Sequence, residues 1–434
     1  MFPPQSEDFP QPGPCRGASS CLAPVYVCGA NPSSGDAERG FPVRLHVPRF
    51  ARLCYDGRVS AARPIRARAA RLELPEAALG LNSTTSRMTD PTPQRPRILS
   101  GMRPTGKLHL GNLVGALQNW VMRQDEYESY HFVADWHMLT TDYADTTELR
   151  QNTLEMVTDW LAAGLDPNKA TFFVQSRLPE HAELHLLFSM ITPLGWLERV
   201  PTYKEQLENI TDRDIHTYGF LGYPLLQAAD ILIYKANAVP VGEDQVPHVE
   251  LTREVARRFN GFYSEVFPEP QALLTPAPRL PGTDGRKMSK SYNNAIFLTD
   301  APEVVSKKLA TMVTDPARKR RTDYGNPDIC PVFDIHKIFS SKETIDRVNK
   351  ECRTAEIGCL DCKKLLAGHV NAALVPIQER RKPYEENPQR VWDVLEEGTA
   401  RARKVAQATM AEVRAAMNLS AKVEIRNQKS EGKN

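Results

Sequence analysis

From Arg97 onward, strand-like and helix-like stretches alternate, and the first junction between them is a glycine-containing turn. Arg97–Gly101 reads as a strand. Gly111–Gln124 reads as a helix, with Leu113, Ala116, Leu117, Trp120 and Val121 on one face. Tyr130–Ala134 and Ala170–Gln175 are strands, and Ala238–Val241 is a short one. Helices are expected over 147–164, ending at Gly164, and over 180–192, 223–234 and 245–259. Such alternation predicts an α/β fold built on a doubly wound, Rossmann-like parallel sheet.

The first junction, Ser100-Gly101-Met102-Arg103-Pro104-Thr105-Gly106, leads into His109-Leu110-Gly111-Asn112. Its glycines allow close backbone approach, and a helix start offers free N–H groups and a positive dipole end to an anion. A Gly/Pro turn without a ligand explains the same residues. Farther along, Lys287-Met288-Ser289-Lys290-Ser291 follows the turn Asp284-Gly285-Arg286. Two ammonium groups on one loop can neutralise charge that builds on a leaving pyrophosphate. The bland reading is an exposed basic loop. Gly242-Glu243-Asp244-Gln245 closes a strand and opens a helix. Asp244 can accept from ribose hydroxyls or can serve as a plain helix cap. Asp230 sits among apolar residues in Tyr223–Leu232, a costly place for an acid unless it is paired.

In this order, these stretches resemble the bacterial tryptophanyl-tRNA synthetases, whose class I signatures are written HIGH and KMSKS. The likeness runs from about Arg97 to Leu419. It is carried by Thr105–Asn112, Tyr223–Tyr234, Val239–Asn260, Lys287–Ser291 and Pro376–Arg380. It implies that Arg103, Pro104, Thr105, His109, Gly111, Asn112, Gly242, Glu243, Asp244 and Lys287–Ser291 hold ATP, with Mg²⁺, and that Leu280 packs on adenine. Lys204 resembles a further phosphate-contacting lysine. Activation is expected to rest on Lys287, Lys290, Lys204 and Asn112. Asp230 would accept the indole N–H, in a pocket shared with Gln227, Tyr223 and His137. The family often carries Gln where Arg103 stands and Met where Gln227 stands. The implied partners are tRNA(Trp), L-tryptophan, ATP and a second copy of the chain, with no role for DNA or a membrane. Two other functions compete: a tyrosyl-tRNA synthetase, and a silent paralogue that binds RNA.

After about Asp300 the pattern turns helical. Asp300-Ala301-Pro302-Glu303 carries a capping residue, an early proline and a glutamate, a helix start. Further helices are expected over 361–381 and 388–419, with Gly398 a candidate break in the second. Residues 297–425 are therefore expected as a separate all-α domain after a catalytic domain at 95–296, with 426–434 a tail; the resemblance implies that this domain binds the anticodon. Four cysteines fall in this part as Cys330-x21-Cys352-x6-Cys359-x2-Cys362. Four thiolates with one x2 pair suit a tetrahedral site for zinc or an iron–sulfur cluster. Some tryptophanyl-tRNA synthetases carry a [4Fe–4S] cluster on cysteines of similar spacing, which favours the cluster over Zn²⁺.

Residues 1–94 differ from the rest. Eleven arginines precede Met88 and the first lysine is Lys107. Seven acidic residues before Met88 argue against a transit peptide, which is acid-poor. A dispensable tail, or a true start at Met88, fits better. Cys15, Cys21, Cys28 and Cys54 show no ligand pattern. A net charge of +2 gives no overall basic field, so RNA would meet local patches such as Arg318–Arg321, unless that run is only a solvated loop. The absence of cysteines between Cys54 and Cys330 argues against a disulfide framework and for a reducing, cytoplasmic setting.

Overall fold

The computed structural model describes residues 95–210, 213–274 and 280–419, all within the compact unit that spans 87–434. The expectations about Met88 and the four N-terminal cysteines lie outside the described residues.

Five parallel strands form one sheet in the order β3-β2-β1-β4-β5. They are β1 (Arg97–Met102), β2 (Glu128–Val133), β3 (Ala170–Val174), β4 (Ala238–Val241) and β5 (Gln271–Leu274). Both faces of such a sheet are covered, so alternate residues enter different cores. On β3, Phe172 packs into one cluster with Leu117, Trp160 and Leu366. Its neighbour Phe173 enters the other, with Leu225, Val249 and Met410. The order reverses between β1 and β4, which opens a crevice at their carboxyl ends.

The first helical stretch is not uniform. α1 (Leu110–Asn112) passes through a π-helical turn, Leu113–Leu117, into α2 (Gln118–Arg123). π-turns inside helices occur often at functional sites. Then follow α3 (Asp135–Leu139), α4 (Leu149–Ala163), α5 (Glu180–Ser189), α6 (Leu194–Glu198), α7 (Pro201–Asn209), α8 (Tyr218–Ile233) and α9 (Val246–Phe262). α4 stops at Gly164, whose φ of 114° is the left-handed cap a glycine supplies. α8 begins five residues before the expected start. Thr217 caps it by accepting from the Phe220 N–H, and Pro224 is carried inside.

The C-terminal part holds α10 (Pro302–Thr311), α11 (Pro331–Phe339), α12 (Lys342–Arg353), α13 (Cys359–Glu386) and α14 (Gln389–Ala416). Two expectations need correction. Asp300 does not cap α10: Ala301 is the cap residue and makes no side-chain bond. The Asp300 carboxylate instead accepts from the Phe297 N–H at 2.8 Å and Lys308 Nζ at 2.6 Å. Gly398 does not break α14, which runs through it. A Cβ there would lie 1.8 Å from the Phe172 carbonyl oxygen, so glycine serves close helix–strand packing. The helices after Asp300 also share a core with the sheet, since Phe172 of β3, Leu309, Leu366 and Leu395 belong to one cluster. No helix among the described residues is long and apolar enough to cross a membrane.

Candidate active site

The crevice at the β1/β4 switch holds a cavity of about 390 Å³. Tyr223, Gln227, Asp230 and His137, the four residues expected to bind an amino acid, all line it. Arg103 and Gly242 line it as well, at the ends of β1 and β4.

Asp230 is fully buried. Its carboxylate is held by His137 Nε2 at 2.7 Å, His181 Nδ1 at 2.6 Å and Gln175 Nε2 at 2.8 and 2.9 Å. Burial pushes this carboxyl up, but hydrogen bonds and charge from His137 and His181 outweigh it, leaving it below the ordinary value. His181 Nε2 is in turn 2.8 Å from the Tyr234 hydroxyl. Burial raises the Tyr234 pKa well above normal, so the hydroxyl stays protonated. Because a carboxylate only accepts, His181 donates to Asp230 from Nδ1. Sequence reasoning missed Gln175, His181 and Tyr234. Gln175 alone carried a signal, as a polar residue at the carboxyl end of a strand.

A second polar chain flanks the cavity. Thr202 Oγ1 lies 2.9 Å from the Tyr223 hydroxyl and 2.7 Å from His248 Nε2. His248 is buried, and burial lowers its pKa to about 4.

The phosphate side is built differently. His109 caps α1: its Nδ1 accepts from the Gly111 N–H at 3.1 Å, and Asn112 Oδ1 accepts from the His109 N–H at 3.1 Å. Burial and then Lys287 lower the His109 pKa to about 4, so the ring is neutral at pH 7. Lys290 Nζ donates to the Thr105 carbonyl at 2.8 Å, joining the two motifs directly. Buried Met288 anchors the loop through its N–H to the Leu280 carbonyl, 3.0 Å. Buried Asn294 accepts from the Ser289 N–H at 2.8 Å and donates to the Lys287 carbonyl at 3.2 Å. Lys287, Lys290 and Ser291 are exposed, with Ser289 half-buried.

The remaining expected residues fall as follows. Arg103 bonds to Asp142 at 2.6 Å, and Asp142 also takes Arg213. Pro104 is buried and Thr105 exposed, at the turn closed by Thr105 N–H to the Arg103 carbonyl, 2.9 Å. Glu243 and Asp244 are exposed beside Gly242. Lys204 is exposed on α7. Leu280 is 4% exposed and belongs to the core.

The four C-terminal cysteines are unpaired. They sit near enough to affect one another. Burial, then Cys330, Cys352 and Cys359, push the Cys362 thiol up to about 12. Within the basic run, Lys319, Arg320 and Arg321 are exposed, but Arg318 is not surface: it is 8% exposed, with Nη1 3.6 Å from Cys352 Sγ and Nη2 2.6 Å from the Ile357 carbonyl. His336 Nε2 lies 3.5 Å from Cys362 Sγ. Among the described residues, no three potential ligands are already arranged around an ion.

Residues 92–375 match the family described as tRNA synthetases class I (W and Y). A tryptophan–tRNA ligase of Thermotoga maritima is 58% identical over 325 residues, covering 74% of this chain and 99% of the relative. One from Aquifex aeolicus is 47% identical over 393 residues, 74% of this chain and all of the relative. A Campylobacter jejuni tryptophanyl-tRNA synthetase, solved with ADP and tryptophan, superposes with a TM-score of 0.68 at 33% identity. That match covers 74% of this chain and 99% of the other.

Proposed function

The chain belongs to the class I tryptophanyl- and tyrosyl-tRNA synthetase family, and from that premise we propose how its residues divide the work of a tryptophan–tRNA ligase. The overall reaction joins L-tryptophan to tRNA(Trp) at the expense of ATP. The tryptophan carboxylate attacks the α-phosphorus of ATP, and pyrophosphate leaves. The adenylate then acylates the terminal ribose of the tRNA.

In this reading Asp230 accepts the indole N–H, with His137, Gln227 and Tyr223 completing the pocket. Phenylalanine offers no donor there, and the tyrosine hydroxyl stands on a different ring frame, so neither replaces the indole N–H. ATP lies across Arg103–Thr105, His109–Asn112 and Gly242–Asp244. Lys287 and Lys290, with Lys204, neutralise the departing pyrophosphate, and Mg²⁺ accompanies the nucleotide. Little covalent chemistry falls to the protein, which positions and neutralises. Leu280, whose carbonyl accepts the Met288 N–H at 3.0 Å, packs on adenine. The supporting observation is the Lys290–Thr105 contact at 2.8 Å, which ties the Lys287–Ser291 loop to the turn that leads into the His109–Asn112 motif. Tryptophan-dependent exchange of pyrophosphate into ATP, run beside tyrosine, tests the reading. Equal exchange with both amino acids would overturn the role of Asp230.

The 297–425 segment serves as the tRNA-reading part, and Cys330, Cys352, Cys359 and Cys362 hold a [4Fe–4S] cluster there. Two features fit that group. Four free thiols lie within electrostatic reach of one another. Arg318 supplies a nearly buried cation against Cys352, which offsets part of the charge of four thiolates. The cluster would be structural. Elemental analysis after anaerobic purification should give about four irons per chain. About one zinc would replace the cluster with a zinc site, and neither metal would refute both. For a homodimer, the supporting surface is Met190, Leu194 and Phe262, at 68, 62 and 56% exposed. Of these, Phe262 lies under the Arg258 guanidinium, which also stands over Trp196.

A further inference from the structure

α13 carries Gln378, Arg380 and Arg381 between two internal prolines, Pro376 and Pro383. Each proline removes a helix hydrogen bond, yet the side chains between them make a dense set of contacts with the segments that support both signature motifs. Asp159 on α4 is fully buried, and its Oδ2 accepts the Leu108 N–H at 2.7 Å, one residue before His109. Its Oδ1 is held by the Arg381 guanidinium, which also binds Glu155 and Glu385. Arg380 Nε donates to the Ala162 carbonyl at 2.6 Å, farther along α4.

The other motif is held from the same turn of helix. Gln378 Nε2 donates to the Leu298 carbonyl at 2.9 Å and the Asp300 carbonyl at 3.0 Å. That stretch follows the Lys287–Ser291 loop and pairs with the start of α1. The Leu298 N–H reaches the Leu108 carbonyl, and the Leu110 N–H reaches the Ile296 carbonyl, both at 2.9 Å. His109 and Phe297 form an antiparallel bridge at its centre.

We propose that Gln378 and Arg381 are positioning residues for amino-acid activation: together they clasp the two motif-bearing segments and set the distance between the His109–Asn112 turn and the Lys287–Ser291 loop. Neither side chain is placed at substrate by this geometry; both act through Leu108 and Leu298. The proposal rests on the assignment of those two motifs to ATP. Its logic is that a carboxylate with one oxygen on a backbone N–H and the other on a guanidinium has a fixed rotamer. A buried acid left without that guanidinium would reorient or take up a proton. Small displacements between reacting groups cost rate far more than they cost binding.

Arg381→Lys keeps the charge but cannot hold Asp159 and the two glutamates in the same fork. Gln378→Met removes two donors without changing charge. Each full-length variant should lower kcat for tryptophan-dependent pyrophosphate exchange by about tenfold, with KM for tryptophan unchanged, because the Asp230 wall is not touched. A residue that only holds the fold together would lower the melting temperature and leave kcat alone, and that result overturns the proposal. So does a parallel change in kcat and KM for tryptophan, which signals general loosening. If Arg381→Lys does not accumulate as folded protein, Gln378→Met decides. Lys287→Ala is run in parallel: full exchange there would refute the motif assignment itself, whatever the clasp variants do.

Discussion

The two sides of the cleft are built on opposite principles. Around Asp230, every charge is buried and already partnered: His137, His181 and Gln175 hold the carboxylate, and Tyr234 holds His181. Around Lys287 and Lys290, the backbone is anchored by Met288 and Asn294, while both side chains are exposed and Lys290 makes a single bond to the Thr105 carbonyl. A pocket that must read one N–H gains from fixed, desolvated geometry, because an unmatched polar group there costs the full desolvation penalty. A loop that must meet charge developing on a departing group gains from cations that are available and only loosely committed.

That contrast can be broken by swapping which kinetic constant responds. Asp230→Ala should raise KM for tryptophan roughly a hundredfold, the equivalent of ~2–3 kcal/mol for a lost charged acceptor, with KM for ATP little changed. Lys287→Ala should do the reverse, lowering kcat by about a hundredfold while KM for tryptophan holds. Steady-state pyrophosphate exchange measures both; a common pattern in the two variants would erase the distinction. His181→Phe sharpens the buried side. It removes one charge-assisted bond to Asp230, and KM for tryptophan should rise about tenfold, whereas a purely structural histidine would move only the melting temperature.

A further effect, on stability and not on kinetics, is a pH slope. His131 is fully buried and stacks on Trp120 at 4.3 Å, and burial lowers its pKa to about 3. His248 and His109 fall to about 4. A histidine whose pKa is depressed by folding binds fewer protons folded than unfolded. Its contribution is therefore complete above about pH 6.5 and is lost as pH falls toward the folded pKa. Stability should drop between pH 6.5 and 4, by up to about 1.4 kcal/mol per pH unit for each such group. Urea unfolding across that range checks it, and His131→Phe should flatten the slope.

How legible the molecule was follows the same divide. The strands β1 to β4 and the long helices announced themselves through apolar runs that cover both faces of the sheet. β5 did not, because Gln271–Leu274 is four residues of partly exposed edge. Local motifs such as Lys287–Ser291 were readable because their chemistry sits in consecutive residues. The network behind Asp230 was not, because Gln175, His181 and Tyr234 come from a strand end and two helices that only the fold brings together. Arg318 misled for a related reason: its three neighbours in the basic run are surface, and only the fold turns Arg318 inward to Cys352. Asp300 looked like a helix cap by position, yet Lys308 and the Phe297 N–H were better partners.

The most direct test of the account replaces one atom of the substrate. A tryptophan analogue with sulfur in place of the indole N–H keeps the shape and removes the donor. The account predicts that wild-type enzyme discriminates against it by at least a hundredfold or so in kcat/KM for pyrophosphate exchange, and that Asp230→Ala largely abolishes the preference. Equal use of the analogue and tryptophan by the wild-type enzyme would contradict the claim that the buried carboxylate reads the amino acid.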